Sequence, residues 1–333
     1  MTPYRRNARQ DAKTNSEISL VIDKTDYAGG ETVRGRVELS VREALPARAV
    51  RLELWGLETS VRQSGLGRSM KQQTQDAVWF DEEMTLFGDE VSEVPSLLGE
   101  LVRGIGDKGA SYWGQVLAPG DYKYEFEYTL PEGLPGDYES TAGDIAIRYG
   151  LRAYVDIPFR IDMVAEQQLT VYETGRKSSD ADAVATSMDK SCIVHRDGNV
   201  LVHVGIDRQA YKLGDDIQLT VDVDNQCTHL VDGTVVRLRQ VESVSVHGET
   251  EQREKMLAEH VFDRAKAAPG EKESHKLVYT IPPELYPTID QGKLVNVAYQ
   301  LNVELEVDLA LNPIIDVPIR LYEEPGLPGG QSD

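Results

Sequence analysis

The sequence is poor in the residues that staple, anchor or catalyse. Two cysteines, Cys192 and Cys227, are too few for a disulfide framework. No apolar run is long enough to cross a bilayer. The opening residues, MTPYRRNARQDAKTN, lack the apolar core of a secretory signal. These absences together point to a reducing, cytoplasmic setting. Positive charge is also scarce, with 35 Lys and Arg against 56 Asp and Glu, a formal net charge of −21. Nucleic-acid binding needs cations to displace counterions from phosphates, so the balance argues against it, and against nonspecific contact with anionic membranes. No nucleophile elbow, phosphate loop or dinucleotide fingerprint occurs. GLGRS at Gly65 has glycines but no Lys-Ser/Thr and no βαβ frame. The carboxylates are dispersed. No enzyme and no cofactor are expected.

A metal site is not expected either. Cys192, His195, Cys227 and His229 are spaced as C-x-x-H and, much later, C-x-H. CIVH leads into a strand, where residues three apart face opposite sides, and the second gap is too short for common zinc pairs. His203, His247, His260 and His275 are scattered.

What the chain has in abundance is alternation. ISLVIDK puts Ile18, Leu20 and Ile22 on one face, TVRGRVELSV does the same with Val33, Gly35, Val37, Leu39 and Val41, and AVRLELWGLE with Val50, Leu52, Leu54 and Gly56. A period of two rich in β-branched residues marks half-buried antiparallel strands. YKYEFEYTLP and IAIRYGLRAYVDIP continue the scheme, and the second half repeats it through DIQLTVDVDN, HKLVYTIP and VNVAYQLNVELEVDLAL. The fold class is therefore all-β, two tandem immunoglobulin-like antiparallel β-sandwiches. One segment departs from the period: Leu97, Leu98, Leu101, Val102 and Ile105 predict one short helix over 93–105, lying on a sheet of the first domain. The expected order is a flexible basic arm (1–16, with Arg5, Arg6, Arg9 and Lys13), a sandwich (17–172), a polar linker (173–190), a second sandwich (191–323) and a short tail (324–333).

The chain also repeats itself. IDKTDYAGGETV from Ile22 returns as IDRQAYKLGDDI from Ile206. Tyr128-Thr-Leu-Pro returns as Tyr279-Thr-Ile-Pro, and the strand around Tyr149 as the strand around Tyr299. The offset falls from 184 residues to about 150, so strand order is kept while loops differ. The extra length of the first half is assigned to the helix and to a polar loop, VRQSGLGRSMKQQTQ. The phrase itself needs no ligand: Tyr27 and Tyr211 are expected to bury their rings with wet hydroxyls, and Gly29-Gly30 and Gly214 to allow positive φ in a turn.

In order, Y-x-x-G-[ED]-x-V-x-G-x-V from Tyr27, RLELWGLE, PGDYKYEFEYTLPEGLPGDYES and IRYGLRAYVDIP resemble the N-terminal domain of arrestins, the α-arrestins in particular. VHVGIDRQAYKLGDDIQLTVDVDNQ, TVVRLRQ, YTIPPELYPT and VAYQLNVELEV resemble the arrestin C-terminal domain, so the likeness runs from residue 17 to about 323. It departs in three places. Visual and β-arrestins use an arginine in the last N-domain strand to sense receptor phosphates, where this chain has Gln168. The loop that supplies acidic partners there is YPTIDQGKL here, with Asp290. No PPxY motif occurs.

The resemblance implies a cytoplasmic adaptor or scaffold that binds protein partners, either cytosolic segments of membrane proteins or trafficking components, with recruitment to endosomal or plasma membrane through them. Alternatives are a structural subunit of a retromer- or coat-like complex and a prokaryotic arrestin-fold regulator. An extended peptide adding to an exposed sheet edge suits the fold. The first strand, with Ile18, Leu20 and Ile22, is the candidate edge, and Lys13 and Lys24 are the nearest cations for an acidic or phosphorylated segment.

Overall fold

The computed structural model describes residues 16–64, 71–88, 115–173, 186–194, 198–308 and 312–323. The predicted helix over 93–105 and Lys13 lie outside these residues. Among the described residues there is no helix, and hence none long and apolar enough to cross a membrane. The first half supplies β1 (Glu17–Ile22), β2 (Asp26–Ala28), β3 (Thr32–Val41), β4 (Leu45–Ala47), β5 (Ala49–Ser64), β6 (Lys71–Gly88), β7 (Gln115–Leu117), β8 (Gly120–Thr129), β9 (Tyr138–Glu139), β10 (Ile145–Asp156) and β11 (Met163–Tyr172). The second half supplies β12 (Thr186–Val194), β13 (Gly198–Ile206), β14 (Ala210–Lys212), β15 (Asp216–Asn225), β16 (Val231–Val246), β17 (Glu249–Phe262), β18 (Lys272–Thr280), β19 (Val295–Val307) and β20 (Ile314–Tyr322).

The two halves share one topology. In the first, β1-β3-β8 packs against β2-β11-β10-β5-β6, with β9 added on β10; in the second, β13-β15-β18 packs against β14-β20-β19-β16-β17. Alternation drives this. In β3, Val33, Val37, Leu39 and Val41 are buried, and in β15, Ile217, Leu219, Val221 and Val223 are buried, while the intervening residues are more exposed.

The repeated phrase builds the crossing between the sheets. β1 and β3 lie in one sheet, but the short β2 between them pairs in parallel with β11 of the other, Tyr27 opposite Val171. β14 repeats this with β20, Tyr211 opposite Leu321. The phrase closes on itself the same way twice. Lys24 lies 4.7 Å from the Tyr27 ring centroid and pairs with Glu31 at 2.8 Å; Arg208 lies 4.7 Å from the Tyr211 centroid and pairs with Asp215 at 2.8 Å. Glu31 and Asp215 also accept the Ala28 and Lys212 amides, which tightens the turn where Gly30 and Gly214 take φ of +84° and +87°. The expectation of wet hydroxyls is corrected. Tyr27 and Tyr211 are both fully buried, and their hydroxyls donate to Asp23 and Asp207. A buried phenol needs an acceptor, and the aspartate four residues earlier supplies it. The other repeated tyrosines match as well: Tyr149 donates to the Pro135 carbonyl and Tyr299 to the Tyr286 carbonyl, each at 2.8 Å.

The halves differ in two respects that the alternation did not reveal. The described part of the segment VRQSGLGRSMKQQTQ is strand: β5 continues to Ser64, β6 begins at Lys71, and Gln63 pairs with Gln72. The sequence of these pairs carries no apolar period, and Gln72, Gln73 and Thr74 are exposed. And β12, which begins inside the segment read as linker, pairs antiparallel along the whole of β13.

Candidate functional site

β1 is the outer strand of its sheet, paired with β3 on one side and with no strand on the other among the described residues. Ile18, Leu20 and Ile22 are half-buried against the core. Four other long outer strands protect themselves with charge: β6 carries Asp76, Asp81, Glu82 and Glu83, β8 Asp121, Lys123, Glu125 and Glu127, β17 Glu251, Arg253, Glu254 and Lys255, and β18 Lys272, Glu273 and Lys276. After Glu17, β1 reads ISLVI, with no charge. The strand that corresponds to it in the second half, β13, has its equivalent edge covered by β12. The fold thus presents the same edge twice, occupied once and open once.

The cations near β1 already have partners. Lys24 pairs with Glu31, Arg36 with Glu38 at 2.7 Å, Lys123 with Glu38 at 3.5 Å, and Arg34 with Glu127 at 3.6 Å. The Lys24 ammonium hydrogen bond, helped by the Ala28 amide, holds the Glu31 carboxyl below the ordinary carboxylate range although burial opposes it. Lys24 therefore belongs to the turn first. What β1 leaves open is its backbone edge and its apolar side chains.

The second locus is the seam between the halves. Glu58 of β5 is fully buried and reaches into the loop before β19. Its Oε1 accepts the Leu294 and Val295 amides at 2.6 Å, and its Oε2 accepts the Lys293 amide at 2.9 Å and the Trp79 indole N–H at 3.2 Å. Trp79 is the extra residue where the β5–β6 register shifts, which turns its ring toward the seam. The Lys293 ammonium sits 4.1 Å from the Trp79 centroid and donates to the Val78 carbonyl. A Cβ on Gly292 would stand 1.7 Å from the Val295 carbonyl oxygen, so only glycine lets the loop wrap the carboxylate. Around this point Tyr138 donates to Glu242 and stacks edge-on with Tyr286 at 4.9 Å, Arg253 binds Asp144 at 2.6 Å, and Arg62 meets Glu249.

Glu58 was not singled out from the sequence, although a signal existed. The even-numbered positions of β5, Val50, Leu52, Leu54 and Gly56, point inward, and Glu58 stands next in that phase. Gln168, which the resemblance places near the phosphate-sensing arginine of visual and β-arrestins, is exposed on β11 opposite Gly150, beside an outer hollow of about 240 Å³ lined by Trp55, Arg148 and Arg152. Those arginines are paired with Glu139 and Glu53. Asp290 binds Arg320 of its own half. Cys227 is buried, its thiol 3.0 Å from Asn225 Oδ1, and acts as part of a turn; among the described residues no group of His, Cys, Asp and Glu is placed to hold a metal.

The chain matches the family models described as Arrestin (or S-antigen), N-terminal domain, over residues 17–175, and Arrestin (or S-antigen), C-terminal domain, over residues 196–326. It is 24% identical over 310 residues to the thioredoxin-interacting protein of Rattus norvegicus, covering 90% of this chain and 72% of that protein. The Homo sapiens protein of that name is 23% identical over 310 residues, with the same coverage. Arrestin domain-containing protein 1 of Rattus norvegicus is 26% identical over 216 residues, covering 63% of this chain and 43% of that protein.

Proposed function

Because this chain belongs to the arrestin family, we propose that it is an adaptor that captures an extended segment of a protein partner on the open edge of β1. The observation that carries this reading is β12, a strand laid antiparallel on β13 at the edge equivalent to the one β1 leaves open. A partner segment would pair with β1 in the same sense. Backbone hydrogen bonds give affinity, and side chains alternating on the added strand give selectivity. The work is noncovalent recognition, without chemistry on the bound segment. Cytosolic segments of membrane proteins are the proposed partner class, joined through the adaptor to trafficking components. The name of the rat and human relatives says that they interact with thioredoxin, which supports a protein as the class of partner.

A photo-crosslinking phenylalanine analogue at Ser19 or Val21, followed by purification from the native cell, tests the site. Adducts are expected from both β1 positions and none from the same analogue at Val261 on the charged outer strand β17. Equal yields from all three would remove β1 from the proposal. Lys13→Glu with Lys24→Glu is expected to lower capture modestly, since Glu31 already neutralises Lys24. A loss as large as that from blocking the strand would make charge the main determinant instead.

A further inference from the structure

Glu173 follows β11 and lies where the two halves meet. Its side chain is 4% exposed, and among the described residues neither carboxyl oxygen accepts a well-formed hydrogen bond, the Gly136 amide lying only near it. Buried carboxylates normally collect donors, so a bare one is an exception that asks for a reason. The cation facing it comes from the other half. Nη2 of Arg320, on β20, stands 3.7 Å from Glu173 Oε1, while Nη1 of the same guanidinium donates to Asp290. The acids of this region face the tyrosines beside Glu173: Asp137, ahead of β9, and Glu58 of β5 face Tyr149 together with Glu173, and Asp26 on β2, Asp137 and Glu323 after β20 face Tyr172. Tyr149 of β10 and Tyr172 of β11 face the same place with phenols that stay neutral, because burial raises both.

We propose that Glu173 is a proton-operated clasp between the halves: as the neutral acid it lets the end of β11 seat against β20, and as the carboxylate it works against that seating. Burial raises its carboxyl from 4.5 to about 7, and the opposing pull of Arg320 and the Gly136 amide does not restore it. The sign follows. The closed form holds a proton that a solvated Glu173 would release, so closure is strongest below 4.5, weakens about tenfold per pH unit up to about 7, and is level above that. This concerns domain closure and is independent of what β1 binds.

The test uses the full chain with Cys192→Ser and spin labels on Glu127→Cys and Lys272→Cys, two exposed positions on the outer strands β8 and β18. Pulsed electron paramagnetic resonance between about pH 5.5 and about pH 8 reads the separation. The open population is expected to grow with pH in the parent chain and to stay flat in Glu173→Gln, which keeps the shape of the neutral acid. A parent distribution that does not move, or a Glu173→Gln distribution that moves equally, overturns the clasp. The carboxyl of Glu173, followed by carbon NMR in the unsubstituted protein, gives a second measurement. A midpoint near 7 supports the proposal, and one near 4.5 overturns it.

Discussion

Asp207 accepts both the Tyr211 hydroxyl and the Gln218 amide on one oxygen, and Asp23 accepts the Tyr27 hydroxyl in the first half. Each aspartate side chain can reach water, while each ring is fully buried. The two partners of each bond are therefore unequal. Asp207→Ala strands a buried phenol and an amide, at an expected cost of about 2 kcal/mol; Tyr211→Phe removes the donor and the long bond it accepts from the Arg208 amide, and leaves a carboxylate that water can serve, at about 1 kcal/mol. Urea unfolding of the two variants checks the order, and Asp23→Ala against Tyr27→Phe should repeat it. Equal costs would mean that the hydroxyl finds another acceptor. The repetition of the phrase was legible because both copies solve this one problem with the same residue types. The hydroxyl's acceptor was misjudged because an aspartate at a strand end also reads as an ordinary solvated turn residue.

At the scale of strands and loops, Glu58 and the loop of residues 290–295 form one unit. Removing the carboxylate leaves three amides and an indole N–H facing each other without an acceptor. Glu58→Ala is expected to cost about 3 kcal/mol and to release the Leu294 and Val295 amides to fast hydrogen exchange. Protection that survives in the variant would show that the loop holds itself. Much at this scale was written in the alternation of the sequence, which marks β3, β5, β8, β10, β15 and β19 through residues such as Val37, Leu52 and Leu219. The crossings β2 and β14 are three residues long, too short for a period to show. The first part of β12, TSMDK, reads as the end of the linker over 173–190 because it is mostly polar and carries no period; the place of the strand is set by the edge of β13. Glu58 broke a pattern of apolar residues without ending it, which is how a polar group with distant partners looks from one strand.

Across the whole molecule the seam combines two kinds of contact. Arg62 with Glu249 and Arg253 with Asp144 are partly exposed ion pairs, which salt screens; the Glu58 amide cluster is buried, which salt leaves largely alone. Calorimetry of the parent chain is expected to show coupled unfolding of the two halves that persists at about 1 M salt, where the Debye length is about 3 Å, whereas Glu58→Ala separates it into two transitions. A parent chain that already splits at high salt would assign the coupling to the ion pairs. The edge carried twice, once covered by β12 and once open at β1, also sets the valency of the proposed capture. A molecule with both edges open would offer two seats, could bridge two partner segments, and could pair with copies of itself into chains. With that seat filled from within, the proposed capture on β1 offers one seat of this kind, and the expected complex is one to one.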